Sequence, residues 1–423
     1  MHDLIRELYP LCRSITGDGV RRTLEIVSRE LPLEVHEVPT GTQVLDWVVP
    51  KEWNVREAWI RGPTGETVVD FQDSNLHLVG YSQPVHARMS LAELQPHLYS
   101  LPEQPDWIPY RNSFYRDAWG FCLSHRKLES LVAGEYEVRI DSTLSDGSLT
   151  YAEAVLPGSS DREVLLSCHV CHPSLCNDNL SGISLLTLLA RYLGQLSLRY
   201  SYRILFVPVT IGAITWLARN ENRLSKIDHG LVVTLVGDSG RSTYKRSRRG
   251  DAPIDRILAH VLKHRGEHQV VDFSPYGYDE RQFCSPGFDL PVGCLMRTPH
   301  GQYPEYHTSA DDLGFVKPAA LADSLEKVVA AIDVLENDAR YLNLYPKAEP
   351  QLGRRGIYRA LADRGSDGGR EMALLWVLNL SDGAHSLLDI AERSGAPFQV
   401  IVDAASVLVD HALLKRVEAG DRP

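Results

Sequence analysis

No stretch of this chain is apolar enough, for long enough, to span a bilayer, and residues 1–10 form no apolar signal region. The expectation is a soluble, cytoplasmic protein. An excess of positive charge is also missing: the formal net charge is -11 and the isoelectric point is near 5.8. That argues against a nucleic-acid-binding surface spread over the whole molecule. One local basic run, Lys245-Arg246-Ser247-Arg248-Arg249, reads either as a solvated loop or as a holder of an anionic group. An even set of cysteines is absent too. The seven are Cys12, Cys122, Cys168, Cys171, Cys176, Cys284 and Cys294, and their odd number fits reduced thiols better than a disulfide framework. A closed zinc knuckle around Cys168, Cys171 and Cys176 lacks the second Cys/His pair such a site normally shows.

What is present is a chain of 423 residues, long enough for two or three domains and a sizeable core. Metal-ligating residue types gather in three separated patches. The first runs from His169 through His172, Asn177, Asp178 and Asn179 to Gly182. The second is Gly237-Asp238-Ser239-Gly240, and the third runs from Tyr303 through Glu305, Tyr306 and His307 to Asp311 and Asp312. Apolar runs at 164–166 and 231–236 lead into the first two. In an open α/β sheet, ligands collect beyond the carboxyl ends of the strands. Histidine and carboxylate arriving there together suit a borderline divalent metal, zinc first.

Alternation supplies the fold class. Strands are predicted at 164–167, 202–207, 231–236 and 292–296, with helices at 182–193, 213–219, 254–264 and 319–336. That rhythm implies an α/β fold, a mostly parallel sheet flanked by helices. Before it come amphipathic helices within 3–30, interrupted at Thr16-Gly17-Asp18-Gly19. Short β-type runs at 57–60, 66–69 and 76–79 alternate with Pro- and Gly-rich turns, which reads as a small inserted β-rich domain. After a Pro- and Gly-rich linker near 346–356, three helical patterns at 371–378, 387–393 and 400–409 resemble a winged helix-turn-helix, with Ser386 capping the second. The expected domains are 1–44 with 146–345, an insertion at 45–145, and a winged helix at 350–423. The third helix offers no Lys or Arg over 398–408, so a protein contact is expected there before a DNA contact.

At the motifs His169-Val-Cys-His172-Pro-Ser-Leu-Cys-Asn177-Asp178-Asn179-Leu-Ser-Gly182, Tyr278-Asp279-Glu280-Arg281-Gln-Phe283 and Tyr303-Pro-Glu305-Tyr306-His307-Thr-Ser-Ala-Asp311-Asp312, the chain resembles the co-catalytic zinc aminopeptidase superfamily, which also contains glutaminyl cyclases. It is closer still to a bacterial group of aminopeptidase-like proteins with a β-rich insertion and a winged-helix tail, often encoded among polysaccharide or natural-product biosynthesis functions. The resemblance implies that His169, Asp178 and His307 are metal ligands. From the residues alone, Asp178 is equally a helix cap and each histidine a hydrogen-bonded loop residue. Two departures stand out. Val209 occupies a position that the resemblance assigns to a catalytic Glu, and Thr234-Leu235 replaces a ligand Asp, for which the nearby Asp238 is the candidate substitute.

A proton acceptor must then come from elsewhere, and Glu280 and Glu305 are the candidates, although Glu305 could instead orient His307. By the same resemblance Asp279 steadies a metal ligand or contacts a substrate amine. Arg281 holds a substrate carboxylate or forms a surface ion pair, and Tyr306 donates to a developing oxyanion or simply packs. The leading expectation is a zinc-dependent amide hydrolase, aminopeptidase- or amidase-like, acting on a small peptide or amino-acyl conjugate. Acyl transfer or cyclisation on the same scaffold is a close variant. Against these stands a catalytically altered binding or scaffold protein, which Val209 suggests, and more distantly a regulator working through the tail. No membrane partner is expected, and a protein partner or a homo-oligomer would use the insertion or the winged helix.

Overall fold

The apolar runs of the second half become the centre of one large sheet in the computed structural model, which describes residues 1–357 and 368–417. Numbering only the strands of this sheet, they are β1 Glu34–Pro39, β2 Ser148–Leu156, β3 Glu163–His169, β4 Ser201–Val207, β5 Ile227–Val233, β6 Ser242–Lys245, β7 His268–Val271 and β8 Val292–Met296. Their order across the sheet is β1-β2-β4-β3-β5-β8-β6-β7. β3 pairs parallel with β4 and β5, and β5 pairs parallel with β8. β1, β2 and β6 pair antiparallel with their neighbours. Every residue of β3 is buried, as a central strand covered on both faces requires. Helices Ser181–Leu193 and Ile211–Asn220 follow β3 and β4.

The strand expected at 231–236 is displaced, because it runs from Ile227 to Val233 and stops there. Leu235 has φ 50°, and side chains of the first patch capture the turn: Asn179 Oδ1 accepts from Leu235 N (3.2 Å) and Ser181 Oγ accepts from Val236 N (3.1 Å). Side-chain acceptors have replaced the ladder, so the apolar pattern outlasts the strand. The break near Gly17 is real. Its φ is 95°, and a Cβ there would lie 2.2 Å from Trp53 O, so only glycine opens the helix Asp18–Val27 this way.

Residues 52–145 build a four-stranded antiparallel sheet in the order Thr67–Asp70, Glu52–Arg61, Glu135–Ser145, Val85–Ser90. The run at 76–79 is not a strand. It begins with a 3-10 turn, Asn75–His77, capped by Ser74 Oγ. The longest strand, Glu135–Ser145, turns its buried positions Tyr136, Val138, Ile140 and Ser142 to one face, then hands the chain to β2.

The chain divides into two compact units, Met1–Ile254 with Gln269–Leu325, and Asp255–His268 with Glu326–Pro423. In the second unit, strand Arg340–Asn343 lies between Asp382–Ser386 and Leu414–Arg416, with helices Gly368–Leu380, Leu387–Ser394 and Phe398–Asp410. Ser386 caps as the sequence suggests, in a reciprocal box with Asp389. The last helix exposes Gln399, Asp403, Ser406, Val409 and Asp410, a face with no cation. Among the described residues no helix is long and apolar enough to cross a membrane.

The basic run dissolves into separate ion pairs. Lys245 is buried against Glu280 (2.8 Å), Arg246 faces Asp272 (3.7 Å), and Arg248 and Arg249 share Asp289 (2.8 and 3.3 Å).

Candidate metal centre

β3 ends on His169, and the loop beyond it brings back His172 before the turn Cys176–Leu180 leads into helix Ser181–Leu193. Asp178, in that turn, is wholly buried, and three imidazoles converge on its carboxylate. His169 Nε2 is 2.8 Å from Oδ1, while His307 Nε2 lies 2.9 Å and His172 Nε2 3.8 Å from Oδ2. His169 and His172 are nearly inaccessible, at 1% and 8% exposure. Burial pushes the Asp178 carboxyl up, but His172, His169 and His307 outweigh that and hold it well below the usual carboxylate range. Burial lowers His172 to about 3, so its ring is neutral and its lone pair is free for a ligand.

Each member is held from behind. Asp311 accepts from the backbone N–H groups of Asn177 (2.6 Å) and Asp178 (3.0 Å), which fixes the turn from the third patch. Burial raises Asp311 to about 8 against those same bonds. Asn179 Nδ2 reaches His169 O and Val233 O, both at 3.4 Å, and its Oδ1 accepts from Gly182 N (3.2 Å). At Gly182 a Cβ would stand 2.5 Å from Val233 O, so the helix start can approach β5 only without one. Arg13, 2% exposed, donates to His172 O and Pro173 O, each at 2.7 Å, and so clamps the loop that carries His172. Tyr278 stacks on His169 (5.0 Å, 11°) and Tyr306 on His307 (3.9 Å, 15°). His307 has φ 56°, a left-handed backbone unusual for this residue type, and its carbonyl accepts from Tyr110 N (2.7 Å).

The structure therefore brings His169, Asp178 and His307 together and adds His172, whose His-x-x-His spacing from His169 was the visible signal. Ligand atoms of His169, His172 and Asp178 all lie within 4.8 Å of one another. Imidazole nitrogens aimed at one ionised carboxylate form a donor set suited to zinc. Zinc fits this chain. Of the other named residues, Tyr306 stacks on His307, and the carboxylates of Asp238, Asp279, Glu280 and Glu305 are not in this ligand-atom group. Asp238 has both oxygens engaged by Gly240 N (2.7 Å), Thr298 Oγ1 (2.6 Å), Thr298 N (3.2 Å) and Asn177 Nδ2 (3.1 Å), so it steadies the residue before Asp178.

Glu280 is wholly buried and bonded to Lys245. Asp279 beside it is also wholly buried, its carboxylate oxygens accept no hydrogen bond among the described residues, and burial together with Glu280 pushes its carboxyl well up. Arg281 stands 6.0 Å over the Tyr276 ring. Glu305 is partly exposed, and its carbonyl accepts from Thr308 N (3.1 Å) and Oγ1 (2.8 Å). Val209 packs its side chain against the core and donates its N–H to Cys171 Sγ (3.2 Å). The seven cysteines are unpaired thiols.

Residues 2–338 match a family described as a domain of unknown function (DUF4910), and residues 339–416 match a winged helix-turn-helix family. A Clostridium acetobutylicum protein, named as a polysaccharide biosynthesis protein with an aminopeptidase-like domain, is 52% identical over 418 residues, covering 99% of this chain and 96% of that one. A crystal structure of a peptidase-like protein from the same organism aligns with a TM-score of 0.94 at 51% identity, over 98% of this chain and 96% of that one. A zinc aminopeptidase from Bacillus subtilis shares the fold at a TM-score of 0.58 and 10% identity, over 79% of this chain and 93% of that one. With an aminopeptidase-like α/β domain followed by a winged helix, the chain belongs to the DUF4910 family.

Proposed function

We propose that this chain is a zinc-dependent amide hydrolase acting on a small peptide or amino-acyl conjugate, with the metal held among Asp178, His169, His172 and His307. The convergence of three imidazoles on one buried carboxylate carries the reading. Bound there, zinc supplies Lewis acidity towards a carbonyl oxygen and towards water. The protein supplies the rest. Asp178 contributes the fixed negative charge, and Asp311 and Asn179 keep it from rotating away. Tyr306 holds the His307 ring by stacking, and Tyr110, with its ring 5.2 Å from His172 and 5.0 Å from His307, covers the cluster against bulk water. Of the two glutamates, we assign proton acceptance to Glu305. It sits two residues before His307 with a partly exposed side chain, whereas Glu280 is occupied by Lys245.

Val209 favours a second reading, a binding protein on the same scaffold, because a hydrocarbon there moves no proton. The polysaccharide-biosynthesis name of the relative is compatible with either reading, since N-acyl groups on sugars are amides. Metal content of the purified protein, with hydrolysis of a panel of amino-acyl and N-acyl amides, separates the two. About one zinc per chain, lost together with hydrolysis in His172→Ala and His307→Ala, is the expected result. Zinc bound without any amide cleavage selects the binding reading, and no zinc at all sinks both metal-based accounts.

A further inference from the structure

Beside His307 opens a cleft of about 350 Å³ with two walls, one of Leu101, Gln104 and residues 109–112 of the insertion, the other of Pro304 and residues 306–308 of the ligand loop. Its lining includes no acidic residue, and Arg111 is the only lysine or arginine in it. The segment that carries Arg111 is fixed on both sides. Tyr110 N donates to His307 O (2.7 Å), Gly80 N donates to Arg111 O (2.9 Å), and Ser113 N returns to Gly80 O (2.9 Å). The Arg111 guanidinium lies 5.3 Å over the Tyr99 ring and pairs with no carboxylate among the described residues. Its position is thus set by the main chain that also sets His307, while its charge is left uncompensated.

An enzyme that works from a free amino end must meet an ammonium group, which calls for a carboxylate in the cleft. This wall offers the opposite charge. We infer that the substrate group seated here carries an oxyanion, a carboxylate or a phosphate, which Arg111 holds through its paired N–H groups. The inference rests on the amide-hydrolase reading for the chemistry next door. It makes Arg111 the residue that selects an N-acyl amino acid or an N-acylated phosphate ester over a peptide with a free amino terminus.

Calorimetric binding to the full-length, zinc-loaded protein tests this with four probes: N-acetylglycine, N-acetylethanolamine phosphate, the neutral N-acetylglycinamide and the cationic glycinamide. At least one anionic probe is expected to bind roughly tenfold or more tightly than the neutral and cationic ones. Arg111→Gln should erase that preference at unchanged zinc content, and Arg111→Lys should keep part of it. The tighter of the two anions identifies the source of the oxyanion. Equal or better binding of the neutral or cationic probe, a preference that survives in Arg111→Gln, or no binding of either anion overturns the assignment. Binding is read without turnover, so a protein that prefers anions yet cleaves no amide refutes the hydrolase proposal and leaves this one standing.

Discussion

Two charged clusters are buried along β3, and they differ in whether a fixed cation is built in, which makes the first closed and the second open. Where β2, β4 and β3 lie side by side, Arg203 donates to Glu153 (2.7 Å) and to Glu163 (2.7 and 2.9 Å), and Trp216 Nε1 adds a bond to Glu153 (3.0 Å). A cation is built into that cluster, and its donors are spent. At the carboxyl end of β3, Asp178 instead faces three imidazoles, one of them held neutral by burial. The first cluster carries its own guanidinium between two carboxylates, and His36 Nε2 lies 3.2 Å from Glu153 as well. The second has a fixed anion and imidazole nitrogens but no fixed cation, so the same sheet carries one carboxylate cluster with a built-in guanidinium and one that faces only imidazoles.

Breaking the closed cluster should cost most. Arg203→Met leaves two buried carboxylates uncompensated and should lower stability by about 3–5 kcal/mol in urea unfolding. A loss under about 1 kcal/mol would mean that the cluster carries no such charge dependence. Next comes a buried imidazole whose desolvation outweighs the neighbouring Asp228 carboxylate. Burial pushes the His229 imidazole from 6.5 down to about 4. The folded protein therefore keeps it neutral where the unfolded chain protonates it, and stability present above pH 6.5 is lost as the pH falls towards 4. The loss should reach roughly 3 kcal/mol. His229→Gln should flatten the stability profile over that window, and an unchanged slope would refute the assignment.

The open cluster should respond to its missing cation. Zinc at about a hundred times its dissociation constant should stabilise the wild type by about 2.7 kcal/mol, and Asp178→Asn should remove that thermal shift. A shift that persists in the variant would place the metal elsewhere. The smallest effect tests support from behind the cluster: Asp311→Asn should weaken zinc binding about 10- to 100-fold without abolishing it. Competition against a chelator measures this, and full affinity in the variant would show that the turn holds Asp178 unaided.

The sheet was largely legible because apolar runs such as 164–166 and 202–207 have no other use than burial. β1, β6 and β7 were not: β1 and β7 are edge strands with polar residues and little period-2 signal, and the four-residue β6, Ser-Thr-Tyr-Lys, is buried between β8 and β7 without an apolar run. The long strand Glu135–Ser145 alternates clearly, but it interleaves Glu, Arg and Asp with its apolar positions and buries a serine. At the site, the resemblance named His169, Asp178 and His307, and the fold brings their side chains together. The part played by His172 was not, because its direction depends on Arg13, some 160 residues earlier in the chain. Asp238 looked like a ligand from its place after a strand, but Thr298 and Asn177 occupy it, a fact of tertiary structure alone.

The stitching of the insertion to the ligand loop also bears on the order of folding. Ile108 N donates to Ser309 Oγ across 201 residues, and Tyr110 N donates to His307 O beside it. Contacts so far apart in sequence form late, after loop closure has been paid for. A nascent or partly folded chain therefore holds β3 and its two histidines before it holds His307. On the proposed metal-binding reading, uptake of the ion would report completed folding, since the cluster is whole only when residues 108–110 and 307–309 have met.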